Sequence, residues 1–143
     1  MELENTITRE NLEILMRLFY EKALLDDEIG TFFELELGSD TGNEEWTEHI
    51  DLLVDFWASQ FLGEEQYKGD PFGPHFTIIG LEEKDFTRWV ELFSESSDKV
   101  YTPEISHLFK EKGIYYSKAF MQALNEDKNS KDLKNLKSKI GWE

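Results

Sequence analysis

Three histidines and no cysteine set the limits of what this chain can ligate or attack. His75 stands in YKGDPFGPHFTIIG, directly after a cluster in which Gly69, Asp70, Pro71, Gly73 and Pro74 oppose continued helix and favour turns. An imidazole held behind so rigid a stretch is either a ligand aimed at a metal or a residue of a surface loop. His49 falls on the apolar face of a helical pattern, where it is either a satisfied core residue or a group turned to a cavity. His107 closes Glu104-Ile-Ser-His107, a spacing that puts carboxylate and imidazole on one helical face. A di-iron bundle needs two such motifs and two further glutamates, and no second Glu-x-x-His occurs, so His107 reads as ordinary. Without cysteine there is no thiolate nucleophile, disulfide or thiolate metal site. No Gly-x-Ser-x-Gly and no phosphate-cradling glycine loop is present either.

What remains is a set of polar aromatic and imidazole groups on apolar helical faces: Tyr20, His49 and Trp89. Buried Tyr and Trp need partners for their O–H and N–H, so each could be a satisfied core residue. Converging, they would line an apolar cavity with hydrogen-bond donors, opposite a metal held by one imidazole. That arrangement describes a haem site for a small gaseous ligand. Eleven Phe, five Tyr and four Trp in 143 residues supply walls for such a cavity, or simply a core.

The elements that must position these groups are helical. Leu12, Leu15, Met16, Phe19, Tyr20, Ala23 and Leu24 recur at three- and four-residue steps after Thr8, a good N-cap with Glu10 in the first turn. A short helix is expected through Phe32, Phe33 and Leu37, then a loop over Gly38–Asn43. From about Glu44 to Leu62 the apolar face is Trp46, Ile50, Leu53, Phe56, Trp57 and Phe61. Glu82 to about Ser96 is helical through Phe86, Trp89, Val90 and Phe93. Pro103 opens a last helix carrying Ile105, Leu108, Phe109, Tyr116, Phe120 and Leu124. Nothing alternates with a period of two, so the fold class is all-α, with four substantial helices and one short piece. One domain is expected over residues 1–124. Residues 125–143 form a polar, Lys-rich tail, frayed or weakly helical through Leu133, Leu136 and Ile140.

Charge narrows the partners. The net charge is −16, and the excess acid lies before the tail. Such a field repels nucleic acid and anionic membranes, and no basic stripe overrides it. The start, Met-Glu-Leu-Glu-Asn, lacks the basic and apolar regions of a signal peptide. The longest stretch without a charged side chain, Pro71–Leu81, is far short of the roughly 18 apolar residues a spanning helix needs. A cytoplasmic protein with no nucleic-acid or membrane partner is expected.

The runs LFYEKALLDDEIGTFF, EEWTEHIDLLVDFWASQFLGEEQYKGDP and DFTRWVELF, with His75 between the last two, resemble the group III truncated haemoglobins. The likeness lies in an ordered series: a Phe-Tyr pair, Gly-x-x-Phe, Trp-x-x-His, Phe-Trp, Leu-Gly, Tyr-x-Gly-x-Pro, His and Arg-Trp. It covers roughly Asn11 to Leu124. The resemblance implies a truncated globin, a two-over-two helical sandwich around haem b. It makes His75 the proximal iron ligand and Tyr20, His49 and Trp89 the distal residues, with Leu53 and Phe56 farther along the His49 helix. Phe33 would pack on the haem face, with Phe76 next to the proximal histidine. Four features depart from the family, the first being Asp70-Pro71 in place of its common Asn-Pro. The Gly38–Asn43 loop is longer, which could alter how His49 swings. Gly73-Pro74 stands where bases are often found, leaving Tyr67, Lys68 and Arg88 for the propionates. Tyr116 replaces an aliphatic haem contact.

On that resemblance the chain binds dioxygen and related diatomic ligands (CO, NO), held by hydrogen bonds from Tyr20 and Trp89. An alternative is a haem enzyme with peroxidase-like or nitric-oxide dioxygenase activity, using peroxide or a separate reductant, in which His49 shuttles a proton. A third is a haem-free interaction module of globin fold, against which His75 argues.

Overall fold

The computed structural model describes residues 2–64 and 82–130. Among them lie five helices: α1 (Arg9–Leu25), α2 (Gly30–Leu37), α3 (Glu44–Phe61), α4 (Glu83–Val100) and α5 (Pro103–Ser130). No strand occurs among the described residues beyond one isolated bridge, Glu4 with Tyr101. The all-α expectation holds. α4 runs on past Ser96 to Val100, and α5 past Leu124 to Ser130. His75, Tyr67, Lys68, Phe76 and the tail after Ser130 lie outside the described residues.

Local chemistry starts each helix. Thr8 caps α1 reciprocally with Asn11: the Asn11 N–H donates to Thr8 Oγ1 (3.1 Å), and the Thr8 N–H donates to Asn11 Oδ1 (2.9 Å). Asn43 caps α3 by accepting the Trp46 N–H at 2.8 Å, with Glu44 and Glu45 in the dipole-favoured first turn. α5 begins on Pro103, where a missing N–H is no loss.

The helices then bury the stripes their sequences present. α1 packs on α3 and on α4, and α4 packs on α5, giving two helix pairs laid one on the other. Leu12, Leu15, Met16, Phe19 and Ala23 of α1 are at most 1 % exposed. Trp46, Ile50 and Ala58 of α3, Phe93 of α4 and Phe109 of α5 meet them in one core. Burying side chains of this size contributes about 1.5–3 kcal/mol each. The N-terminal segment is tied to the far end of the bundle, where the Tyr101 hydroxyl donates to Asn11 Oδ1 (2.6 Å) and Glu4 bonds across the α4–α5 junction.

The corner between α1 and α2 is the tightest turn that bears on the site. Asp26 Oδ2 accepts the N–H groups of Glu28 (3.0 Å) and Ile29 (3.1 Å), while Oδ1 takes Arg88 of α4 through Nε (2.8 Å) and Nη2 (2.7 Å). Gly30 follows because a Cβ there would collide with the carbonyl oxygen of Leu24. The corner thus sends α2 back across α1 and lays Phe33 over Tyr20.

Candidate functional site

Tyr20 projects from the buried face of α1 and is only 6 % exposed. Three rings enclose it. Phe33 of α2 meets it edge-on at 5.3 Å between centroids, Trp46 of α3 lies tilted at 5.3 Å, and His49 of α3 is edge-on at 5.0 Å. Trp46 and His49 also touch each other edge to face, as residues one turn apart on a helix must when both face inward. His49 is half-buried, with its Nε2 shielded from solvent.

The Tyr20 hydroxyl has no hydrogen-bond partner among the described residues, and burial alone pushes its pKa well above the ordinary tyrosine value. It therefore stays protonated across the physiological range, a donor without an acceptor among the described residues. The pair of helices supplies an apolar enclosure, a protonated phenol and an imidazole in contact.

Trp89 belongs to the same region through a different neighbour. Its indole meets Phe19 edge-on at 5.5 Å, and Phe19 abuts Tyr20 at 4.7 Å. Behind it Trp89 stacks on Phe93 (5.0 Å, 12° between planes). Leu53 is half-buried against the core. Phe56 is buried farther along α3, with Trp57 at 5.2 Å and Tyr116 of α5 at 5.2 Å. The Tyr116 hydroxyl donates to Gln60 Oε1 at 3.0 Å, so its extra polarity relative to an aliphatic residue is satisfied by α3. Desolvation, followed by its neighbour Tyr115, raises its pKa.

Two expected site residues have other partners. Arg88 is bound to Asp26 and lies 3.6 Å from Glu91. Burial by itself would raise the Asp26 pKa, but the Arg88 guanidinium and the N–H groups of Ile29 and Glu28 outweigh it and hold the carboxyl below its ordinary value. His107 is exposed and pairs with Glu111 at 2.8 Å, one turn on, rather than with Glu104.

The loop Gly38–Asn43 is pinned. Trp46 Nε1 donates to the Gly38 carbonyl at 2.8 Å, Asn43 Nδ2 donates to the Leu37 carbonyl at 3.0 Å, and Asp40 Oδ1 accepts the Gly42 N–H at 2.9 Å. Trp46 is thus both a wall of the Tyr20 enclosure and the anchor of the loop before His49. Sequence reading put it on an apolar face without a role. Its Trp-x-x-His spacing to His49 was the available signal. No described helix is long and apolar enough to cross a membrane.

Comparison with known proteins shows what the chain as a whole resembles. The chain is 34% identical over 119 residues to the group 3 truncated hemoglobin ctb of Campylobacter jejuni, which spans 83% of this chain and 92% of that protein. It superposes on the crystal structure of the group III truncated hemoglobin from Campylobacter jejuni with a TM-score of 0.78 and 32% identity. That match covers 85% of this chain and 94% of the other. No family profile matches the chain.

Proposed function

Since this chain belongs to the group III truncated haemoglobins, we propose that it carries a b-type haem in the cytoplasm and binds dioxygen and related diatomic ligands, held by Tyr20 and Trp89. The residues present fit such a group. The enclosure is walled by Phe33 and Trp46, and its one buried hydroxyl, on Tyr20, faces no acceptor among the described residues. When bound, the haem supplies reversible coordination of a diatomic gas at its iron.

The chain's own residues do the rest. His75, behind its glycines and prolines in the sequence, would supply the imidazole that holds the iron. Phe33, Leu53, Phe56, Phe76 and Tyr116 would provide apolar contact, and Tyr67 and Lys68 would meet the carboxylates. Arg88, committed to Asp26, serves them less directly by holding the corner that carries Phe33. Tyr20 Oη donates a hydrogen bond to a ligand bearing partial negative charge, and the Trp89 indole N–H supplies a second. Bonds to charged acceptors contribute about 1.5–3 kcal/mol each, and two together slow escape enough to suit scavenging, sensing or detoxification better than delivery. His49, in contact with Tyr20, sits where it could admit ligand or hold a proton at Nε2.

The Tyr20 hydroxyl carries this reading. Its test is the absorption spectrum of the purified protein, expected to show a sharp Soret band and one haem per chain. A colourless chain that takes up no added haem would end it. Rapid turnover of peroxide, or of nitric oxide with a reductant, would put catalysis ahead of binding.

A further inference from the structure

Gly113 stands in the interior of α5, between Lys112 and Ile114, where glycine is disfavoured relative to alanine. Such a residue needs a reason in packing, and the neighbours provide one. A Cβ on Gly113 would lie 3.0 Å from Phe93 Cδ2, 3.3 Å from Phe93 Cε2 and 3.6 Å from Trp89 Cζ3. The first two distances are tighter than side chains tolerate without movement, so something must yield.

What can yield is set by a ladder of rings. Phe93 is 1 % exposed and lies between two parallel indoles, Trp57 at 5.3 Å and 19°, and Trp89 at 5.0 Å and 12°. Trp57 is backed in turn by Phe61, stacked at 5.8 Å and 9°, and by Phe109 at 5.6 Å. Phe19 stands edge-on against both Phe93 and Trp89. The α3 end of the ladder is held by the buried rings of Trp57 and Phe109, with the half-buried Phe61 behind them. The other end is Trp89, which is only half-buried, so a push on Phe93 passes to the indole.

We propose that Gly113 is a positioning residue for Trp89. By leaving α5 bare at this point it lets Phe93 and the indole settle where the N–H reaches a ligand beside Tyr20. This rests on the reading of Trp89 as a donor, and the experiment is chosen so that the two can fail separately.

The haem-loaded wild type is compared with G113A, W89F and the G113A/W89F double variant. Three readouts are taken: the infrared stretch of bound carbon monoxide, the O₂ dissociation rate, and the near-ultraviolet circular dichroism, which senses ring geometry whether or not the indole touches ligand. G113A should shift the stretch, speed O₂ dissociation by about three- to tenfold, part of one hydrogen bond, and alter the dichroism. In the W89F background it should change none of the three. If W89F leaves O₂ dissociation as in wild type, the donor reading fails, and the dichroism still decides the positioning. Dichroism unchanged by G113A, or changed equally with and without Trp89, overturns the proposal. Should G113A not fold, F93L, which withdraws the rung between glycine and indole, must alter the Trp89 dichroism, and a silent F93L overturns it as well.

Discussion

Tyr20 and His49 face each other edge to face across the α1–α3 interface, with ring centroids 5.0 Å apart and planes at 79°. One is a phenol kept protonated by burial and the other an imidazole partly open to solvent. The contact joins the group proposed to hold a ligand to the group proposed to let it pass.

Tyr20→Phe removes the hydroxyl while keeping the ring that Phe33, Trp46 and His49 pack upon. O₂ dissociation should accelerate by about one to two orders of magnitude, the equivalent of a hydrogen bond to a charged acceptor. Carbon monoxide, which carries less charge when bound, should dissociate almost as in wild type. Trp89→Phe should act in the same direction. Stopped-flow ligand replacement measures both, and O₂ rates unchanged in both variants would remove these residues from the mechanism.

His49→Leu should act mainly on ligand access. The loop before it is pinned by Trp46 and Asn43, so the side chain rather than the loop is expected to swing. Flash photolysis of the carbon monoxide complex should show an altered association rate with little change in O₂ dissociation. The reverse pattern would make His49 a ligand-holding residue instead.

His75→Ala should abolish stoichiometric haem retention or make it depend on added imidazole. His107→Ala should leave retention intact, because His107 is exposed and paired with Glu111. Absorbance of the two variants after gel filtration distinguishes them, and retention lost in His107→Ala alone would reassign the ligand.

With a net charge of −16, the chain should take up haem, a dianion through its carboxylates, faster as salt screens the repulsion. Uptake that slows with rising salt would mean that a local basic site dominates.

Asp26 gives acid sensitivity a defined sign. Its carboxyl is held below the ordinary value of 3.8 in the folded chain, so it stabilises the fold above that value and the contribution is lost as pH falls through the folded pKa. Asp26→Asn should cost about 1–2 kcal/mol near neutrality and give a shallower loss of stability between about pH 5 and pH 3. Urea unfolding of the two proteins across that range measures it. Equal slopes would mean that other carboxylates, such as Asp98 beside Lys110, carry the acid response.

Periodicity, caps and breakers determined the helices by themselves. Thr8, Asn43 and Pro103 start three of them, and the three- and four-residue steps of apolar residues name most of the core, though Leu108 of the last helix is exposed. These signals are legible because they act within one or two turns of backbone. The ordered motifs also sufficed to indicate the family, and Tyr20 and His49 as residues turned inward. Which inward ring meets which is another matter, since it depends on how far each helix slides and turns on its neighbour. Only the tertiary structure put Phe33 and Trp46 around Tyr20, gave Arg88 to Asp26, and reached Trp89 through Phe19 rather than directly. Gly113 shows the limit most clearly: in sequence it is one glycine in a helix, and its meaning lies in two rings of another helix that approach too closely for a methyl group.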